Sequence, residues 1–180
     1  MKEIVFAGFG GQGVLTGGLI LAYMAAQKDL NATWVPSYGA EMRGGAAKCV
    51  VKFGESKDEM IGSPSMEEAD IIFLMNKPSM TYLKDCKPNA TVFVNSHAIE
   101  DTSAIPSTMK VIKINCVEKA MEVKNPKGAN LIMCAAAIKE CKLFDLDYAM
   151  DTMCKFFEDK GKGKFNEANR RAFQAGYDAV

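Results

Sequence analysis

The N-terminal segment constrains the fold more than any other part of the chain. Ile4-Val5-Phe6-Ala7 is a short apolar run of strand-forming residues that breaks at once into Gly8-Phe9-Gly10-Gly11-Gln12-Gly13, and a helical stretch follows from about residue 12 to 28. Strand, glycine turn and helix in direct succession open a βαβ unit. Ala32-Thr33-Trp34-Val35 reads as the next strand, stopped by Pro36, so a first crossover unit is expected to commit the chain to a parallel sheet.

The rest of the chain fits that beginning. Ala47, Cys49, Val51 and Phe53 alternate with Lys48, Val50 and Lys52, the period of a half-covered strand near a sheet edge, and Gly54 starts the turn that ends it. Residues 71–75, 91–94 and 111–114 are further strand candidates, with a helix starting near Pro78 between the first two. Residues 131–142, 146–158 and 166–178 read as helices, with Asp145 placed as an N-cap and Lys160-Gly161-Lys162-Gly163-Lys164 separating the last two. The expectation is an α/β, Rossmann-like three-layer fold with a mostly parallel central sheet and a helical C-terminal third. With 180 residues, no internal repeat and no linker, residues 1–180 form one domain.

Composition narrows the function classes. Lys plus Arg and Asp plus Glu both total 22, so no global field favours nucleic acid or an anionic membrane surface. Residues 13–26 are apolar but short and include Thr16, Gly17 and Gly18, which reads as a buried helix of a cytoplasmic protein and not as a membrane span. Six cysteines are scattered without a Cys-x-x-Cys pair. An iron–sulfur or zinc site in this chain is therefore not expected, and the thiols read as small buried hydrophobes in a reducing compartment. His97 is the single histidine and lies just beyond an apolar strand with no nucleophile motif around it, so its role reads as structural. Trp34 and the methionines read as packing residues. No catalytic residue and no metal ligand is assigned to this chain.

Gly8-Phe9-Gly10-Gly11-Gln12-Gly13 matches G-x-G-x-x-G where the pattern has physical meaning, after a strand and at the start of a helix. Glycines allow a tight turn and close approach of a ligand, while the free N–H groups of the first helical turn favour a phosphate or carboxylate. A dinucleotide site also needs an acidic residue at the end of the second strand. That strand ends here in Val35-Pro36-Ser37-Tyr38, with Asp29 before it and Glu41 well after it. Gly8, Gly10, Gly11, Gln12 and Gly13 are therefore candidates for a phosphate contact, with tight packing or a subunit contact as the other reading.

Pro36-Ser37-Tyr38-Gly39-Ala40-Glu41-Met42-Arg43-Gly44-Gly45 combines rigid and permissive backbone with hydroxyls, a carboxylate and a guanidinium. It follows the second strand, where open α/β sheets place their sites. The two segments together resemble the gamma subunit of 2-oxoacid:ferredoxin oxidoreductases. Ile61-Gly62-Ser63-Pro64 and Asn76-Lys77-Pro78-Ser79 are also similar to that family's pattern. The second segment looks most like the branch acting on 2-oxoglutarate or branched 2-oxoacids such as 2-ketoisovalerate. Family members usually carry Pro where this chain has Ala40, and Thr-Ala-Asn where it has Ala46-Ala47-Lys48, which leaves the particular oxoacid open.

The resemblance implies a heteromeric enzyme with alpha, beta and ferredoxin-like delta subunits. In it, thiamine diphosphate, Mg and 4Fe-4S clusters sit on partner subunits, coenzyme A is co-substrate and ferredoxin takes the electrons. It implies that this chain binds none of these groups firmly and is inactive alone. Ser37, Tyr38, Glu41, Arg43, Gly44 and Gly45 would then form an active-site-entrance or interface loop, with Lys160, Lys162 and Lys164 as possible phosphate partners. Two rival readings stand beside it: a stand-alone nucleotide- or coenzyme A-binding module, and the homologous subunit of indolepyruvate oxidoreductase. An exposed partner-binding face would also permit a homodimer of the isolated chain.

Overall fold

The computed structural model describes residues 1–39 and 44–180. Six strands form one sheet: β1 (Lys2–Phe9), β2 (Ala32–Tyr38), β3 (Ala46–Phe53), β4 (Ala69–Leu74), β5 (Cys86–Asn95) and β6 (Lys110–Ile114). Their order across the sheet is β2-β3-β1-β4-β5-β6. β1, β4, β5 and β6 run parallel to one another, and β3 pairs antiparallel with β1 on one side and β2 on the other. The sheet is mostly parallel, as expected.

The first unit departs from the expectation in one respect. β1 and β2 share a direction but are not neighbours, because β3 turns back from β2 and occupies the slot between them. Its register runs from Lys2↔Phe53 to Phe9↔Ala46 against β1 and from Ala32↔Phe53 to Tyr38↔Ala47 against β2. β2 also continues past Pro36 to Tyr38. Gly39 N donates to Ala46 O, so odd-numbered amides face β3 and the Pro36 nitrogen faces outward, where an edge strand loses no ladder bond.

β3 is therefore an interior strand and not the half-covered edge strand its alternation suggests. Cys49, Val51 and Phe53 face the helices, and Val50 packs on the opposite side of the sheet. Lys52, read from sequence as a solvent-facing position, is completely buried. Its ammonium lies 3.2 Å from Glu3, directly across the ladder, 3.3 Å from Glu67, and donates to Ser63 O at 2.9 Å. Glu3 in turn accepts from Glu67 N at 2.7 Å. A buried charge is tolerated only when paired and hydrogen-bonded in this way, and the arrangement ties the segment carrying Ile61-Gly62-Ser63-Pro64 to the sheet.

The two faces of the sheet carry unequal layers. Five α-helices, α1 (Val14–Gln27), α2 (Cys116–Glu122), α3 (Ala129–Glu140), α4 (Leu146–Asp159) and α5 (Asn166–Tyr177), contribute to one cluster with Ile4, Phe6, Ile71, Phe73 and Phe93. Phe6, Phe73 and Phe93 stack in a row across β1, β4 and β5 at centroid distances of 4.3 and 5.3 Å. α1 lies close over this row, since a Cβ on Gly17 would sit 2.5 Å from the Phe6 ring. α3 is buried from Asn130 to Ile138 and is the central helix of the layer. On the other face Val5, Ala7, Ile72, Leu74, Val92 and Val94 are covered by Leu83, Ile99, Ile105 and Met109.

The helix expected near Pro78 is a 3-10 helix, Lys77–Asp85, capped by the Asn76 side chain, which accepts from Ser79 N. Asp145 sits at the N-cap of α4 as expected, without a side-chain capping bond. Among the described residues no helix is long and apolar enough to cross a membrane.

Candidate functional site

The glycine turn sits at the C-terminal end of the central parallel strands, where β1 and β4 lie side by side. Side-chain amides hold its shape. Gln12 Oε1 accepts from Phe9 N at 2.7 Å, and Gln12 Nε2 donates to Met75 O at 3.3 Å, just past β4. Asn95, at the end of β5, donates to the same carbonyl at 3.1 Å. Gly13 is the N-cap of α1 with φ of 73°, a left-handed conformation that favours glycine, and no side chain among the described residues caps this helix end. Asn130 in the first turn of α3 donates to Gly13 O at 3.1 Å and would collide with any Cβ there.

The structure also joins the two sequence segments. Gly10 N donates to Gly45 O at 2.9 Å, and Gly44 N, with φ of +79° at its residue, donates to Gly10 O at 3.2 Å. The glycine turn and the end of the second segment are thus one backbone unit, extending the β1–β3 ladder. Ser37 and Tyr38 project from the exposed end of β2, with Tyr38 58% exposed. Glu41 and Arg43, with Ala40 and Met42 between and before them, lie outside the described residues.

Two depressions flank the turn. One, of about 730 Å³, is floored by Gly11, Gln12 and Gly13 and walled by Asn125, Asn130 and Asn169. The other, of about 660 Å³, lies towards Tyr38 and includes Phe9, Gly10 and Thr16. Lys162 borders both. Of the three lysines singled out in sequence it alone reaches the turn, because Lys160 lies over the Phe156 ring and Lys164 over the Phe165 ring. His97 is exposed and lies outside both depressions.

The larger cleft brings together residues that sequence reasoning did not single out. Asn125 and Lys127 come from the turn between α2 and α3, Asn130 from the start of α3 and Asn169 from α5, all far from the glycine turn in sequence. Spaced amides carry no motif, so no local signal pointed to them. Among the described residues the charged side chains in its lining are Lys127 and Lys162, and none there is a carboxylate, imidazole or thiol. Such a surface suits binding of an anion.

The thiols lie elsewhere and are poor nucleophiles. Burial pushes Cys49, Cys86 and Cys116 each up to about 12, and Cys134 higher still. A further hollow at the opposite end of the sheet is lined by Lys2, Lys28, Lys57 and Lys142. Lys2 is paired with Glu55 and Lys57 with Asp29, while Lys28 lies over the Tyr148 ring.

Comparisons with known proteins agree with this architecture. A ketoisovalerate oxidoreductase subunit, VorA, from Methanothermobacter thermautotrophicus is 29% identical over 97% of this chain, which spans about a third (35%) of that protein's length. A 2-oxoglutarate synthase subunit, KorC, from Methanocaldococcus jannaschii is 31% identical, covering 99% of this chain and 94% of that one. The crystal structure of a keto/oxoacid ferredoxin oxidoreductase gamma subunit from Geobacter sulfurreducens superposes with a TM-score of 0.82 at 26% identity, over 99% of this chain and 98% of the other. The model of the pyruvate ferredoxin/flavodoxin oxidoreductase family matches residues 3–179, and with the glycine turn and the second segment joined as one unit at the strand ends, the chain belongs to that family.

Proposed function

We propose that this chain is the gamma-type subunit of a multisubunit 2-oxoacid:ferredoxin oxidoreductase acting on 2-oxoglutarate or a branched-chain 2-oxoacid. In that reaction the bond between the carboxylate and the oxo carbon breaks and carbon dioxide leaves. The acyl group passes to the thiol of coenzyme A, two electrons reduce two ferredoxins, and one proton is released. Thiamine diphosphate, magnesium and iron–sulfur clusters would supply the carbanion and redox chemistry from partner subunits. The chemistry of this chain supports the division of labour, since its turn and clefts offer backbone donors, amides and lysines.

The single observation that carries the reading is the family match over nearly the whole chain, residues 3–179. Its site residues follow as part of the proposal. Gly8, Gly10, Gly11, Gln12 and Gly13 would contact either the phosphate end of coenzyme A or a neighbouring subunit. Ser37, Tyr38, Glu41, Arg43, Gly44 and Gly45 would border the active-site entrance or a subunit interface. The bond from Gly10 to Gly45 supports treating the two sets as one contact surface.

The test is anaerobic affinity purification of the tagged chain from its native cell, followed by identification of what accompanies it. Thiamine diphosphate- and cluster-bearing chains, with viologen reduction driven by one 2-oxoacid and coenzyme A, are the expected result. A chain that elutes without such partners, yet carries nucleotide, would replace the proposal with a stand-alone binding module.

A further inference from the structure

Residues 54–68 run from β3 to β4 along the face of the sheet opposite the five α-helices, without forming helix or strand. They are nonetheless held at several points. Asn31 Nδ2 donates to Lys57 O at 3.3 Å and to Glu59 O at 2.9 Å, the buried Lys52 ammonium donates to Ser63 O at 2.9 Å, and Glu3 accepts from Glu67 N at 2.7 Å. Met66 of this segment packs onto the apolar cluster of that face. Met60, between the Glu59 and Ser63 anchors, turns the other way and is 85% exposed. An irregular segment of this length that is not a disordered linker is usually functional, and one that served only to cover the sheet would bury Met60 along with Met66.

The anchors also fix where Met60 stands. The Glu59 bond places it beside the start of β2, and the Ser63 bond places the next turn of chain over Lys52, whose ladder partner on β2 is Thr33. Val35 follows Thr33 on the same face of β2, the edge strand of the sheet, and is 37% exposed. With Ile61 half-buried and Pro64 exposed, these residues make an apolar strip on backbone that is already held in place. The rim of the strip is acidic. Residues 54–70 carry Glu55, Asp58, Glu59, Glu67, Glu68 and Asp70 against one lysine, Lys57, in a chain whose net charge is zero. Asp58 and Glu68 are exposed and make no ion pair among the described residues.

We infer that the strip formed by Met60, Ile61, Pro64 and Val35 docks a neighbouring subunit that offers an apolar recess rimmed by lysine or arginine, an inference that rests on the gamma-subunit reading proposed above. Met60 is the anchor, because a thioether side chain adapts to a partner surface and its burial is favourable. The segment is already ordered by Asn31, Lys52 and Glu3, so little conformational entropy is lost on docking. Charge selects the occupant. A two-fold contact with a second copy of this chain sets the patch against itself, bringing Asp58 and Glu68 towards another acidic rim, and like charges across an interface oppose association. Nucleic acid and anionic membranes are repelled for the same reason. A basic partner gains both the apolar burial and the attraction. The buried Lys52 pair then has a second use, since it fixes the register in which the segment presents Met60.

The experiment measures, under anaerobic conditions, how the full-length chain associates with the thiamine diphosphate- and cluster-bearing subunits isolated without it, using biolayer interferometry. Met60→Gln keeps the length of the side chain and removes its apolar end. It should weaken association by about tenfold or more and leave the thermal midpoint unchanged. Met121→Gln is the control, since Met121 is 62% exposed but lies on α2 in the helical layer, and it should bind like the wild type. Asp58→Lys with Glu68→Lys should slow association by about tenfold at low salt, the difference shrinking as salt is added. Wild-type affinity in Met60→Gln, an equal loss in Met121→Gln, or faster association of the charge-reversed chain overturns the inference and leaves the gamma-subunit reading standing. Self-association of the isolated chain that Met60→Gln abolishes, with subunit binding unchanged, assigns the strip to a second copy and overturns it too. A wild-type chain that binds none of those subunits overturns the gamma-subunit reading, and the docking strip with it.

Discussion

Lys52 and Gln12 show what individual side chains contribute to the site. Lys52 is buried among Glu3, Glu67 and the Ser63 carbonyl, and removing it strands the buried Glu3 carboxylate without its cation. Lys52→Ala is expected to lower stability by about 3–5 kcal/mol, which urea denaturation would measure; a loss under about 1 kcal/mol would show that the ion pair is dispensable. Gln12 links Phe9 N to Met75 O, so Gln12→Ala takes the acceptor from Phe9 N, while Met75 O keeps the Asn95 amide. A loss of about 1–3 kcal/mol is expected, with faster amide exchange at Phe9; unchanged exchange there would mean the turn keeps its shape unaided. Little of this was legible in sequence. Lys52 alternated like a solvent-facing residue because Glu3 and Glu67, its reasons for being buried, lie far away in the chain, and Asn125, Asn130 and Asn169 converge only once α3 and α5 have packed.

At the scale of elements the hydrophobic period carried most of the information. β1, α1, β4, β5, β6 and the last three helices lie where their apolar patterns placed them, within a few residues. What the pattern could not supply was lateral order: nothing in residues 46–53 says that β3 enters between β1 and β2, because a strand buried by an ion pair on one side looks half-exposed. α2 is only seven residues long and too short to show a period. Pro36 was read as a strand end because a central strand would not tolerate it, whereas the edge does. The contact between α1 and β1 also yields a prediction. With the Phe6 ring 2.5 Å from a Cβ at Gly17, Gly17→Val must push α1 off the stacked phenylalanines and should destabilise by about 1–3 kcal/mol. An unchanged thermal midpoint would show that the helix has room to move.

The whole molecule combines a thick helical layer, a mixed sheet and a thin second face, with both sequence segments meeting at one end of the sheet. That meeting was foreshadowed in sequence by two segments of unusual composition, but the bond joining them, Gly10 to Gly45, required the antiparallel β1–β3 pairing that sequence did not reveal. Buried thiols also set how the fold responds to base. Cys49 and Cys116 are raised from 9.0 to about 12 by burial, so between those values the unfolded chain has lost protons that the folded chain retains. Stability is fully present below about pH 9 and declines as pH rises towards 12. Cys116→Ala should flatten that decline by about 1.4 kcal/mol per pH unit, read from urea midpoints at pH 8 and 10.5; an identical slope would place the thiol in contact with water.

The role proposed for this chain is to complete a 2-oxoacid:ferredoxin oxidoreductase. Its most direct test is anaerobic reconstitution of the partner subunits with and without the chain, followed by coenzyme A-dependent viologen reduction on 2-oxoglutarate and 2-ketoisovalerate. Activity on one oxoacid should appear only when the chain is present; full activity in its absence, or none in its presence, would rule that role out.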